Sequence, residues 1–285
     1  MKSSRNLIIA GIVLVAAGVL LCGGTFAYLG FDMSRLSTAD LVTNTYEVDE
    51  DFKDIKLTAD AEDVILISSD EGNCRVECTE PAKSPHDVKV ENGILTVASP
   101  RLNLTFWDMA FIPHKMETRI YLPKREYERL SVESDKGRID IPEDFTFEDI
   151  GIDSDIGDII CMASVKGDIR INTDVGKVSL KDLTCTNLSV KGDTGKIELD
   201  GVVASGRFDI ETDVGAISFK GCDANEIHAG TATGNIEGTL LTDKTFITRN
   251  HTGKVEVPDS SGGGRCELST DTGNIRIEVT GKGEA

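Results

Sequence analysis

The chain has 285 residues, 39% of them apolar and 28% charged, with 28 glycines, so it is an ordered protein unusually rich in turns. Forty-nine acids face 30 lysines and arginines, giving a formal charge of −19, and every acid follows residue 31. A surface that negative repels phosphate backbones, which excludes nucleic acid as a partner class.

From Leu7 to Phe31 the sequence carries no charge, whereas a helix needs only about 20 apolar residues to cross a bilayer. Lys2 and Arg5 precede this stretch and Asp32 follows it. The positive-inside rule then predicts residues 1–6 as a cytoplasmic tail, a transmembrane helix over 7–31, and an extracytoplasmic body at the cell membrane. An uncleaved anchor is favoured over a secretory signal, because no Ala-x-Ala site follows the apolar core. It is also favoured over lipidation of Cys22, because Leu21 before that cysteine is too large. Residues 32–44 read as a polar linker spanning at most about 45 Å, which tethers the body close to the membrane.

Residues 45–128 carry strands of looser spacing, including Phe52–Leu57, Asp63–Ile67, Cys74–Cys78 and Met116–Leu122, with a hairpin turning at Glu91-Asn92-Gly93. This part is expected to continue the repeat that follows it, or to cap its amino-terminal end. Leu102, Leu104, Phe106, Trp107, Met109, Phe111 and Ile112 form an apolar cluster that holds the single tryptophan. It reads as a lid folded over the core. The functional alternative is a contact for a partner or membrane, carried by Phe106, Trp107 and Phe111.

Over residues 129–280 the chain repeats. Gly137, Gly157, Gly176, Gly195, Gly215, Gly234, Gly253 and Gly273 are spaced 20, 19, 19, 20, 19, 19 and 20 residues apart. Apolar residues recur seven and five positions before the glycines and two after, with Thr248 before Gly253 the exception, for example Ile150, Ile152 and Ile159 around Gly157. That is the period of two of a strand, interrupted by a turn. A unit this short buries no core alone, but stacked copies bury a continuous one. The pattern predicts an all-β parallel β-solenoid of 19–20-residue coils about 4.8 Å apart, stacked in chain order, with 281–285 as a tail. Serine or threonine stands three before most of the glycines, facing the same side as the apolar set.

Asp135, Asp155, Asp174, Asp193, Asp213 and Asp271 stand two before their glycines, where an aspartate can hydrogen-bond amides two residues on and sharpen a bend. The alternative is a column for divalent cations, which the capping role makes unnecessary; no metal and no cofactor are expected. The seven cysteines read as small buried hydrophobes, since Cys74 and Cys78 lie about 13 Å apart along a strand, too far for a disulfide. Neither His86, His114, His228 and His251 nor the scattered acids form a recognisable catalytic or zinc constellation, so no enzyme is expected.

The single amino-terminal span, the segment Asn92-Gly93-Ile94-Leu95-Thr96-Val97, Ile120-Tyr121-Leu122-Pro123 and the recurring Asp-x-Gly-x-Ile turns together resemble the bacterial putative-adhesin family, domain of unknown function 4097. The likeness covers about residues 45–280. It implies a β-helical domain on membrane-anchored proteins, some linked to envelope stress, and brings no catalytic residues. The expectation is a non-enzymatic surface adhesin or scaffold that meets an envelope protein or cell-wall polymer. The alternative is a regulatory envelope-stress component binding a membrane protein, with a carbohydrate-active enzyme a distant third.

Overall fold

The computed structural model describes residues 2–28, 41–100, 116–260 and 262–280. The chain divides into two compact units, one of residues 1–41 and 102–115, the other of residues 42–101 and 116–285. In the first unit the described part is a helix, Lys2–Tyr28, about 40 Å long at 1.5 Å per residue. Val13, Leu14, Val15, Val19, Leu20 and Leu21 are all exposed, so over residues 13–21 apolar side chains point in several directions rather than along one stripe. Among the described residues no helix is long and apolar enough to cross a membrane; the side chains of residues 2–10, 12 and 26 are outside that set.

The second unit is all β. Long strands such as Glu126–Lys136, Thr146–Ile156, Asp168–Val175 and Asn187–Thr194 pair in parallel to form one sheet. After a glycine corner, short strands such as Ile139–Ile141, Ile159–Cys161, Val178–Lys181 and Ile197–Asp200 pair in parallel to form a second. Equivalent positions stack in register: Leu130, Ile150, Ile169, Leu188, Phe208 and Ile227 make one buried ladder. Ile139, Ile159, Val178, Ile197, Ile217 and Ile236 make the ladder facing it. Each such side chain contributes about 1.5–3 kcal/mol when taken from water, which is how a coil with no core of its own is held.

The corner glycines are dictated by the neighbouring coil. A Cβ on Gly157 would lie 1.8 Å from the carbonyl oxygen of Gly137, and the same contact recurs from Gly176 to Gly157 and from Gly195 to Gly176. The corner amide then donates along the stack: Gly137 N to Ile156 O, Gly157 N to Val175 O, Gly176 N to Thr194 O.

The coils do not stack in chain order at either end, and at the second end this corrects the expectation. Strand Gly264–Thr272 pairs with Ile217–Thr233 on one side and with Lys244–Thr252 on the other, so the last coil of the sequence lies inside the penultimate one. Gly234 N donates to Thr272 O and Gly273 N to Thr252 O, in keeping with the order Gly234, Gly273, Gly253. In the outermost coil the core-phase residues Phe246, Thr248 and Asn250 are half-buried, and Val255 is 42% exposed, because no coil follows. The first end mirrors this. Strand Asp54–Ala61 pairs with Glu126–Lys136 and with Ile94–Ala98, and Asp63–Ser69 pairs with Ile139–Ile141 and with Glu117–Pro123. Residues 54–69 therefore form a regular coil, with the later strands outside it.

Two antiparallel strands close that first end. Asp87–Glu91 pairs with Ile94–Ala98 through a turn in which Asn92 (φ 54°) and Gly93 (φ 78°) are both left-handed, the tightest form of hairpin. Cys74–Pro81 pairs antiparallel with Glu117–Pro123. The amino-terminal half thus both extends the stack and caps it.

Gly238, which follows Phe219 in the ladder, adopts φ 138°, and its Cβ would meet the carbonyl oxygen of Phe219 at 1.8 Å. The register then shifts, pairing Cys222 with Leu240, which is buried.

Candidate functional site

The predicted turn residues all lie along one edge of the stack, but four of the aspartates do not cap their turns. Asp155, Asp174, Asp193 and Asp213 make no hydrogen bond or ion pair with any described residue; Asp271 faces His251 Nδ1 at 3.0 Å. The cap comes from the position after the glycine. Asp158 Oδ1 accepts from Lys177 N at 2.9 Å, Asn235 Oδ1 from Asn274 N at 2.8 Å, and Asn274 Oδ1 from Lys254 N at 2.9 Å. Asp63, at the equivalent place in the first coil, accepts from Arg138 N. Each of these side chains caps the amide of the adjacent coil, not its own turn, so Asp155, Asp174, Asp193 and Asp213 are left as an exposed acidic row. Beside them Ile156, Val175 and Val214, one before their glycines, are about half exposed.

The inward hydroxyls three before the glycines have a defined task in part of the stack. Thr231 Oγ1 donates to Gly215 O at 3.0 Å and Thr270 Oγ1 to Gly234 O at 2.9 Å, while Ser134, Ser154 and Thr173 are buried without a partner.

The outward face of the long-strand sheet is polar and shallowly grooved. A depression of about 550 Å³ runs past Asp174, Lys191, Asp193, Glu211, Asp213 and His228. His228 stands between Glu211 at 3.6 Å and Glu267 at 3.5 Å, with Asp209 close by. A second groove of about 610 Å³ is crossed by the pairs Lys53–Glu128 (2.9 Å) and Lys166–Glu126 (2.7 Å). Polar ladders run between coils, with Asn172 Nδ2 donating to Asp153 and Asn187 Nδ2 to Asp168. Such exposed pairs contribute little stability and leave the face free to exchange them for a ligand's groups.

Sequence reasoning missed the most unusual polar cluster, which is buried at the first end. His86 donates from Nε2 to Glu62 Oε1 at 2.8 Å and from Nδ1 to Glu80 Oε2 in a short hydrogen bond. Glu80 Oε2 also accepts from His86 N at 2.6 Å, and its Oε1 accepts from Tyr46 OH at 2.7 Å and Asn44 Nδ2 at 2.5 Å. Thr118 Oγ1, in the core ladder against Val64, donates to Glu62 at 3.2 Å. Glu62, Glu80, His86 and Thr118 are all buried. Burial disfavours the imidazolium, but Cys78 and Glu62 outweigh it and push His86 up to about 10. Burial likewise works against the Glu80 carboxylate, yet the donors Asn44, His86 N and Tyr46 hold it below the usual carboxylate range. Thr118, His86 and Glu80 have the order of a hydroxyl–imidazole–carboxylate triad. Here Glu62 occupies the ring nitrogen that would take the hydroxyl proton, and Thr118 itself is buried. No sequence spacing announces this network, because its hydrogen-bonded pairs are separated by 6 to 56 residues and come from five segments.

The cysteines of the β body are buried and unpaired. Burial pushes the thiols of Cys74, Cys161, Cys185 and Cys266 up to about 12. Phe106, Trp107, Phe111 and His114 lie outside the described residues.

A family model described as Toastrack DUF4097 matches residues 52–285. No curated protein matches the chain. Among solved structures, a putative lipid binding protein from Parabacteroides distasonis is 16% identical with a TM-score of 0.52, the match covering 84% of this chain and 98% of that one. A putative adhesin from Bacteroides fragilis is 17% identical with a TM-score of 0.49, covering 84% and 97%. A putative adhesin from Parabacteroides distasonis is 10% identical with a TM-score of 0.48, covering 84% and 98%. At these identities the first shares the fold and nothing more.

Proposed function

Because the chain belongs to the Toastrack DUF4097 family, we propose that it is a non-enzymatic surface module, an adhesin or scaffold, anchored in the cell membrane by residues 7–31 and displayed outside the cytoplasm. The observation that carries this reading is the outward face of the stacked coils. It repeats polar and acidic groups rung after rung, with shallow grooves and ladder bonds such as Asn172–Asp153. A repeated surface of this kind suits an extended polymer or a protein surface better than a small substrate.

The anchor rests on the sequence: the uncharged run from Leu7 to Phe31 and the two bases before it. Protease added to intact cells of the native host is expected to remove a carboxy-terminal epitope tag and spare an amino-terminal one. A host lacking the protein is expected to lose binding to envelope polymer or neighbouring cells. Protection of both tags, or unchanged binding by the deletion strain, overturns the reading. Recovery of one specific membrane sensor with the protein would favour the regulatory alternative.

A further inference from the structure

The network around His86 contains more than ion pairs. The Sγ of Cys78, a carboxylate oxygen of Glu80 and a ring nitrogen of His86 lie within 4.8 Å of one another, and all three residues are buried. Cys78 and Glu80 sit on the inward face of strand Cys74–Pro81, whose burial alternates along its length, and the loop that follows brings His86 back against them. Thiolate, imidazole and carboxylate together form a donor set suited to zinc and similar borderline-soft divalent ions.

The surroundings are those of a ligand set already oriented. Glu62 holds His86 Nε2 at 2.8 Å, which leaves Nδ1 to face Glu80 and is the carboxylate–histidine arrangement found behind metal-bound imidazoles. Asn44 and Tyr46 fix the far oxygen of Glu80, and the backbone amide of His86 fixes the near one. We propose that Cys78, Glu80 and His86 bind one divalent transition-metal ion of the zinc class, with Glu62 positioning the imidazole from behind. The ion takes the place of the proton held between His86 Nδ1 and Glu80 Oε2. Binding releases that proton and the proton of the Cys78 thiol, and leaves the Nε2 proton on His86, donated to the Glu62 carboxylate. All three donors are enclosed, so the bound ion ties the antiparallel strand and the loop after it into the cap on the first end of the stack.

The other histidine cluster, Asp209, Glu211 and His228, lacks a thiol and is open to solvent, so it offers neither the softness nor the enclosure of the first. The buried site is independent of whatever the outward face binds.

The test uses the full-length chain, solubilised in detergent and carrying no polyhistidine tag. Metal analysis after growth with zinc is expected to give one zinc per chain. Replacement by cobalt(II) is expected to produce a near-ultraviolet thiolate-to-cobalt charge-transfer band. Cys78→Ser should abolish that band, whereas Cys74→Ser, on the same buried strand but outside the cluster, should keep it. Glu62→Gln should retain the band and weaken metal affinity about 10- to 100-fold, the effect of losing an outer carboxylate. Should Cys78→Ser fail to fold, the wild-type chain decides: a chelator is expected to lower its thermal midpoint and zinc to restore it. Folded wild-type protein with no stoichiometric metal and no charge-transfer band overturns the proposal. So does a midpoint indifferent to chelator, or a band that survives in folded Cys78→Ser.

Discussion

Replacing Gly195 by alanine places a methyl carbon 1.8 Å from the carbonyl oxygen of Gly176, at a residue whose φ is 155°. An ordinary carbon–oxygen contact needs about 3.3 Å, so the two coils must part by roughly 1.5 Å at that corner. Two stacking bonds lie within reach of that movement, Gly176 N to Thr194 O at 3.0 Å and Gly195 N to Val214 O at 2.9 Å. Losing them costs about 1 kcal/mol each, and holding alanine at this φ adds about 1–3 kcal/mol. The expected destabilisation is therefore about 3–5 kcal/mol. Gly151→Ala is the control, because Gly151 faces outward and an added methyl group would meet nothing within 4 Å; it should be neutral or stabilising by about 0.5 kcal/mol. Urea unfolding followed by far-ultraviolet circular dichroism reads both. Equal midpoints for the two variants would refute direct carbonyl-on-glycine stacking as the reason for the repeat.

Thr270→Val removes the hydrogen bond to Gly234 O and should cost about 1 kcal/mol, whereas Ser154→Ala removes a hydroxyl without a partner and should cost nothing; the same urea midpoints separate them. The thiols of Cys74, Cys161, Cys185 and Cys266 should resist iodoacetamide at pH 8 in the native protein and react once urea unfolds it, as counted by mass spectrometry. Asp223→Ala strips buried Lys244 of its 2.6 Å carboxylate partner and should destabilise the second end by about 3 kcal/mol, seen as faster amide exchange over residues 244–256.

The glycine period and the apolar phase around it made the parallel coils readable, because each corner glycine and each ladder residue answers to the coil beside it rather than to distant segments. The order of the outer coils was not readable. Residues 244–256 and 264–279 share one pattern, with Phe246 and Cys266, Gly253 and Gly273, and Val255 and Ile275 in equivalent places. A signal was present in Thr248, which stands where the inner coils carry valine, isoleucine, leucine or alanine, and which suits an end that is half open to water. The turn aspartates misled for a different reason. A local rule about capping assigns the bond within one turn, but stacking brings the amide of the next coil closer, to Asp158 and Asn235 instead. The His86 network was invisible because it depends on the antiparallel cap, whose long-range pairing no period marks.

The central claim is that the outward face of the stack meets envelope polymer or surface protein without turning it over. Photo-crosslinking amino acids at Arg170 and Lys191, exposed on that face, would be activated in living cells of the native host and the products identified by mass spectrometry. The account predicts adducts with cell-wall polymer or other surface proteins, and none from a crosslinker placed at buried Ile171. Capture of a single integral membrane sensor from both outward positions, with no polymer or surface protein, would contradict it.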